Sequence, residues 1–178
     1  MEVDRPAPGE ELNPGRPTEP RQAATVILLR GGRTTLEVLL VRRNPAARFM
    51  GGAWVFPGGA VDASEDHETA GVREVAEESG IAELLIAPMP VHLSEHAVPF
   101  CGPGGAVHHL DVRFVAVAPE DAEHAISAES LDVRWWPADA LPDPEPELAE
   151  LVRLAIEKVQ SISSGGASTW AAADQPSR

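Results

Sequence analysis

The chain has no tyrosine, a single cysteine and few cations: 14 Lys and Arg stand against 28 Asp and Glu, for a formal net charge of -14. Each shortage excludes something. The one thiol, Cys101, forms no internal disulfide and completes no cysteine-based zinc site. A surface this acidic repels phosphate backbones and anionic headgroups, which argues against general nucleic-acid binding and against a membrane surface. Aromatic residues make up only 4% of the chain, so the core has to be built from Val, Leu, Ile and Ala. No apolar run is long enough to span a bilayer as a helix, and Met1 to Pro6 lack the basic and apolar regions of a signal peptide. The expectation is a soluble, cytoplasmic protein. An acidic protein that handles an anionic substrate also needs cations in its site.

At 178 residues and 43% hydrophobic content, the chain fits one domain with loose ends. Residues 1–22 are rich in Pro, Glu, Gly and Arg and are expected to form an N-terminal arm without stable structure. Residues 161–178 are expected to form a flexible tail in which Trp170 is partly exposed. Residues 23–160 make the domain. Within it, Ala24 to Leu29 reads as a buried strand, Arg30 to Arg33 as a turn and Leu36 to Arg42 as the second strand of a hairpin. Trp54-Val55-Phe56 is a short apolar run stopped by Pro57-Gly58-Gly59, and His67 to Ser79 has helical spacing and stops at Gly80. Pro88, Pro90 and Pro99 break up the stretch from Leu84 to Ala97, which places His92 and His96 in a loop, and residues 100–105 form another loop. Val107 to Val117 and Leu131 to Trp136 are strands. Leu148, Leu151, Val152, Ala155, Ile156 and Val159 share a helical face behind Pro146. Strands with interspersed helices predict an α/β fold, a mixed sheet covered on both faces.

The informative segment starts at Gly59. On the helix, Glu74 lies three and four residues from Glu77 and Glu78, so three carboxylates converge with no lysine among them, while Arg73 projects elsewhere. Such a cluster is either a solvated acidic face or a site for a hard cation such as Mg²⁺ or Mn²⁺, which binds carboxylates, waters and substrate phosphates together. Ahead of it, Pro57-Gly58-Gly59 permits a tight turn and close backbone approach to a phosphate-bearing ligand. From Gly59 through Glu65, Arg73, Glu74, Glu77, Glu78 and Gly80 to Ile81, the spacing matches G-x5-E-x7-R-E-U-x-E-E-x-G-U at every specified place, with Val75 and Ile81 as the bulky aliphatics. Seven fixed residues agree by chance on the order of 10⁻⁸ per starting point at average usage.

This segment resembles the Nudix box, and the surrounding strand pattern carries the resemblance across the domain. The resemblance implies an α/β/α sandwich with the box as a loop–helix–loop. It implies Mg²⁺ or Mn²⁺ as cofactor, held by Glu74, Glu77 and Glu78, with Arg73 orienting a glutamate, Glu65 supporting it and Val75 packed inward. The implied reaction is hydrolysis of a phosphoanhydride bond in a nucleoside diphosphate linked to another group. A water held near the metal attacks phosphorus, and a carboxylate takes its proton. Candidates for that base are Glu77 and Glu78 in the box and Glu120, Glu123 and Glu129 beyond it, with Glu129 the best outside choice.

Substrate contacts are sought around the box. On the strand from Val107, alternation sends Leu110, Val112, Phe114 and Ala116 to one face and His109, Asp111 and Arg113 to the other, which lines either solvent or the substrate cleft. His108 falls on the core-facing side. Arg42, Arg43 and Arg48 are candidates for a diphosphate, and Trp54, Trp135 and Trp136 for stacking on a base, although one of the last two belongs to the core. Leu39 to Asn44, with Arg48, Gly52 and Phe56 to Gly59, is similar to the signature upstream of the box in coenzyme A pyrophosphatases, departing from it at Val41 and Asn44. Coenzyme A derivatives therefore join ADP-ribose, dinucleoside polyphosphates, nucleotide sugars and damaged nucleoside triphosphates as substrates left open. One alternative stands beside the enzyme, a Nudix-fold sensor or regulator that binds a nucleotide without cleaving it; the resemblance also allows a homodimer, which no sequence feature demands.

Overall fold

The computed structural model describes residues 20–32, 35–46, 51–98, 107–128, 130–142, 146–164 and 170–173. Most of the expected arm and tail, the loop at 100–105, Arg48 and Glu129 lie outside the described residues. In chain order the elements are β1 (Arg21–Gly31), β2 (Leu36–Arg43), β3 (Trp54–Val55), β4 (Gly58–Ala60), α1 (His67–Ser79), β5 (Leu85–Ile86), β6 (His92–Val98), β7 (Val107–Val117), β8 (Ser130–Pro137), α2 (Pro146–Ser164) and β9 (Ala171–Ala172).

The strands form one mixed sheet in the order β3-β2-β1-β7-β5-β9, with β4 added to β1, β6 to β7 and β8 to β2. Its centre is the parallel pair β1–β7, in register from Arg21 opposite His109 to Leu29 opposite Val117. A parallel pair needs a long crossover, and α1 lies within it. Because helices cover both faces, β1 is buried on both, which accounts for its unbroken apolar run. Val26 and Leu28 pack with Leu39, Val41, Phe114 and the α1 residues Val72 and Val75. On the other face, Ile27 and Leu29 pack with Val38, Leu40, Val115 and the α2 residues Leu148, Leu151, Val152 and Ala155. The result is the expected α/β/α sandwich.

Both ends of α1 are closed by local chemistry. The Asp66 side chain accepts from the Thr69 N–H at the start, and Gly80 adopts a left-handed conformation (φ 72°) at the end, where its N–H donates to the Ala76 carbonyl. Pro146 is the first residue of α2, where its missing N–H leaves no intrahelical bond unmade.

Two expectations are corrected. His92 and His96 are not in a loop. The prolines separate β5 from β6 but leave residues 91–98 free of proline, and His92 to Val98 of these pair antiparallel with β7, His92 opposite Arg113 and His96 opposite His109. The chain after 160 is also more ordered than its composition suggests. Helix α2 runs to Ser164, and Ala171–Ala172 pair antiparallel with β5. Trp170 is half-buried against the α2-side core, where its ring removes apolar area from water. No described helix is long and apolar enough to cross a membrane.

Leu28 is fully buried in the α1-side core, whereas Leu131 is 48% exposed. Leu28→Ala should lower the unfolding free energy by about 2–5 kcal/mol in urea titrations. Leu131→Ala should change it by about 0.5 kcal/mol or less; equal effects would contradict this placement of the core.

Candidate active site

The box folds as a short strand, a loop and a helix, and the register of the strand decides where the carboxylates lie. Strand β4 runs antiparallel to β1, with Gly58 opposite Thr25 and Gly59 opposite Ala24. Helix α1 lies over the same part of β1, so the glycines are held between sheet and helix. At Gly59 an added Cβ would sit 2.5 Å from the Glu74 carboxyl carbon and 2.6 Å from both of its oxygens. Only a residue without a side chain leaves that carboxylate its place. Gly58 serves the other glutamate: its N–H donates to Glu78 Oε2 at 3.1 Å. The two glycines and two of the three expected ligands are therefore in contact.

Arg73 does not project away from the cluster, because its long stem turns the guanidinium back over it. Nε and Nη2 donate to the two oxygens of Glu65 at 3.0 and 3.2 Å. Nη1 donates to Glu74 Oε1 at 2.7 Å and to Glu77 Oε2 at 3.2 Å, and Nη2 also reaches the Ala60 carbonyl at 3.1 Å. One cation thus gathers three carboxylates and the end of β4. The pairing is strongest at Glu65, whose side chain is 12% exposed. The Arg73 hydrogen bond holds the Glu65 carboxyl below the ordinary carboxylate range, and the carboxylates in turn keep the guanidinium charged. Glu77 differs from the others in being 61% exposed, which leaves it facing solvent.

Glu74, Glu77 and Glu78 supply only hard oxygen donors on one helix face, a donor set that fits Mg²⁺ or Mn²⁺. Among the described residues, no three His, Cys, Asp or Glu side chains close around a common point as a finished metal cage. Mg²⁺ needs none, because it is usually held by one or two carboxylates with waters and substrate phosphates.

The other expected site residues are spread across the sheet. Arg43 ends β2 with its side chain exposed. His109 lies on the face opposite α1, where burial, then the nearby His96 and Arg21, push its imidazole below the ordinary histidine range. Its Nε2 is buried with no hydrogen-bond partner among the described residues. Asp111 and Arg113 lie on the same face and are buried, each 8% exposed. Arg113 donates to Asp111 Oδ2 at 2.8 Å and to Glu147 Oε1 on α2 at 2.6 Å. His108 meets Glu95 at 3.0 Å. Thr25 and Glu147, which complete the Arg113 cluster, carry no signal in the sequence, since nothing local brings β1, β7 and α2 together.

The tryptophans pack against the two cores. Trp135 packs on the α1-side core beneath the Arg30 guanidinium, 4.3 Å from its ring centre, and Trp136 meets Trp54 edge-on at 5.3 Å on the opposite side. Arg30, Trp135 and residues 120–124 line a depression of about 340 Å³. It lies at the far end of β1, five residues from Thr25, which at about 3.3 Å per residue is roughly 17 Å from the glycines.

A carboxyl held below its ordinary pKa contributes stability that is present above its unfolded value and lost as pH falls through the folded one. Chemical denaturation from neutral pH into the carboxylate range should therefore show a steeper acid loss for the natural chain than for Glu65→Gln. Parallel curves would mean that the Glu65–Arg73 pair adds nothing to stability.

Comparison with known proteins agrees with this geometry. The family model described as NUDIX domain matches residues 19–155. A protein named putative nudix hydrolase 7 from Caenorhabditis elegans is 42% identical over 66 residues, which is 34% of this chain and 22% of that protein. One named putative 8-oxo-dGTP diphosphatase 3, from Mycobacterium tuberculosis, is 33% identical over 117 residues, 65% of this chain and 52% of that protein. The chain thus spans about half the length, or less, of these two relatives. Among solved structures, the Nudix hydrolase RenU from M. smegmatis superposes with a TM-score of 0.61 at 26% identity, covering 80% of this chain and 87% of that one. A complete box, folded as a glycine strand against a glutamate helix within a matching sandwich, places the chain in the NUDIX domain family.

Proposed function

We propose that the chain is a divalent-metal-dependent hydrolase of a phosphoanhydride bond in a nucleoside diphosphate linked to another group. The observation that carries this reading is the contact of Gly58 and Gly59 with Glu78 and Glu74 beneath the Arg73 guanidinium. It puts backbone without side chains, where a phosphate can approach, against carboxylates that suit Mg²⁺ or Mn²⁺.

In this reading Glu74, Glu77 and Glu78 hold the metal, which when bound offsets phosphate charge and lowers the pKa of a coordinated water. Arg73 keeps Glu74 oriented, and Glu65 keeps Arg73 oriented. Hydrolysis forms a bond from the water oxygen to phosphorus and breaks the bond from phosphorus to the bridging oxygen, which leaves on the departing phosphate. The water's proton goes to a carboxylate. Glu77, solvent-facing, and Glu78, fixed by the Gly58 N–H, are the candidates within the box; beyond it, Glu120 and Glu123 line the depression beside Arg30, and Glu129 lies outside the described residues. Exposed Arg43, and Arg48 outside the described residues, are proposed to meet the substrate's phosphates, and His109 to border the cleft. The similarity to a protein named as an 8-oxo-dGTP diphosphatase supports damaged nucleoside triphosphates in a panel that also holds coenzyme A, ADP-ribose, dinucleoside polyphosphates and nucleotide sugars.

The test is incubation with Mg²⁺ or Mn²⁺ and that panel, with products read by mass. At least one member should be cleaved, chelation should abolish the cleavage, and Glu77→Gln or Glu78→Gln should slow it by about a hundredfold or more. Binding of nucleotides with no cleavage of any member would replace this reading with that of a sensor. Gly59→Ala gives a second check, since its Cβ meets only the end of a flexible side chain. The variant should keep the melting temperature within a few degrees while losing most turnover, because Glu74 is displaced.

A further inference from the structure

The face of the sheet opposite α1 carries a polar chain, buried at Asp111 and Arg113 and exposed at Glu147, that the proposed reaction does not use. It starts on α2, where Glu147 accepts from Arg113 Nη1. Arg113 Nε donates to Asp111 Oδ2, and the other Asp111 oxygen accepts from Thr25 Oγ1 at 2.9 Å. His92 Nδ1 lies 3.4 Å from Arg113 Nη1. Burying an ion pair at 8% exposure gives no clear gain in stability, since apolar side chains of the same volume serve as well or better. What it supplies is direction.

That direction ends at the glycines. Thr25 is the cross-strand partner of Gly58. A Cβ added at Gly58 would point to this face and lie 2.8 Å from Thr25 Oγ1, 2.9 Å from Thr25 Cα and 2.6 Å from the Ala24 carbonyl oxygen. Gly58 therefore rests directly on the Thr25 side chain. Threonine carries a hydroxyl and a bulkier methyl on one carbon, and its χ1 decides which of them meets the neighbouring strand. The hydrogen bond to Asp111 selects the rotamer that turns the hydroxyl towards Gly58. On its other side, the N–H of Gly58 holds Glu78 Oε2.

We propose that Asp111 is a positioning residue for Glu78. Held by Arg113 and Glu147, it fixes the Thr25 hydroxyl, which sets the seat of Gly58 and hence the place of the Glu78 carboxylate. The path runs from α2 through β7, β1 and β4 to α1, so it couples the two faces of the sheet. It rests on the reading of Glu78 as part of the metal-holding set.

The test uses the full chain with Thr25→Val, Thr25→Ser, Asp111→Asn and Glu78→Gln, each checked for folding by thermal melting. Two readouts need no turnover: the Gly58 amide resonance in ¹⁵N-labelled protein, and Mn²⁺ affinity by electron paramagnetic resonance. Thr25→Val and Asp111→Asn should shift the Gly58 resonance and weaken Mn²⁺ binding by about tenfold or more. They should lower kcat with little change in KM, and Thr25→Ser should restore all three. A Gly58 resonance unmoved in folded Thr25→Val and Asp111→Asn would overturn the proposal. Undiminished Mn²⁺ affinity in Glu78→Gln would instead overturn the metal reading, and the Gly58 resonance would then judge the positioning role alone.

Discussion

Glu65, Glu74, Glu77 and Glu78 crowd one loop and one helix, and like charges at these spacings repel, so the site depends on the cation that offsets them. That cation is Arg73. Its planar group offers five N–H donors, and it spends them on Glu65, Glu74, Glu77 and the Ala60 carbonyl. A lysine ammonium is a point charge and cannot span two carboxylates, a third and a strand carbonyl in fixed directions. The network ties the loop, the helix and the end of β4 into one unit.

The unit is held in place by packing below it. Val72 and Val75 press α1 into the core with Val26 and Leu28, and α2 closes the opposite face over Ile27 and Leu29. Between them β1 is packed on both faces, and the glycines paired to it take their height against the helix from that packing. The buried Asp111–Arg113 pair lies under the same stretch of β1 from the other side. Rigid hydrophobic layers set the distance between sheet and helix, and directional polar contacts set orientation within it.

Much of this was legible beforehand, for reasons that differ by element. The strands at 24–29, 36–42 and 107–117 and the helix from His67 to Ser79 are read from periodicity because burial follows the repeat of the backbone. Flanking prolines and the polar residues along it hide the β6 strand, and small, featureless alanines hide β9. Both take their structure from a neighbouring strand rather than from their own composition. Helical geometry alone points Arg73 away from the cluster, but a long side chain reaches back across a turn. Thr25 and Glu147 carry no local signal, because their partners are 86 and 34 residues away.

The sequence by itself determined the family, the positions of Gly59, Glu65, Arg73, Glu74, Glu77 and Glu78, and the sandwich they belong to, because motif spacing and hydrophobic periodicity are properties of neighbouring residues. Tertiary structure alone decided that Gly58 holds Glu78, that Gly59 makes room for Glu74, and that Arg113 serves protein carboxylates in a buried cluster. Those contacts join elements distant in the chain. Their geometry follows from strand register and helix packing, which no local pattern encodes.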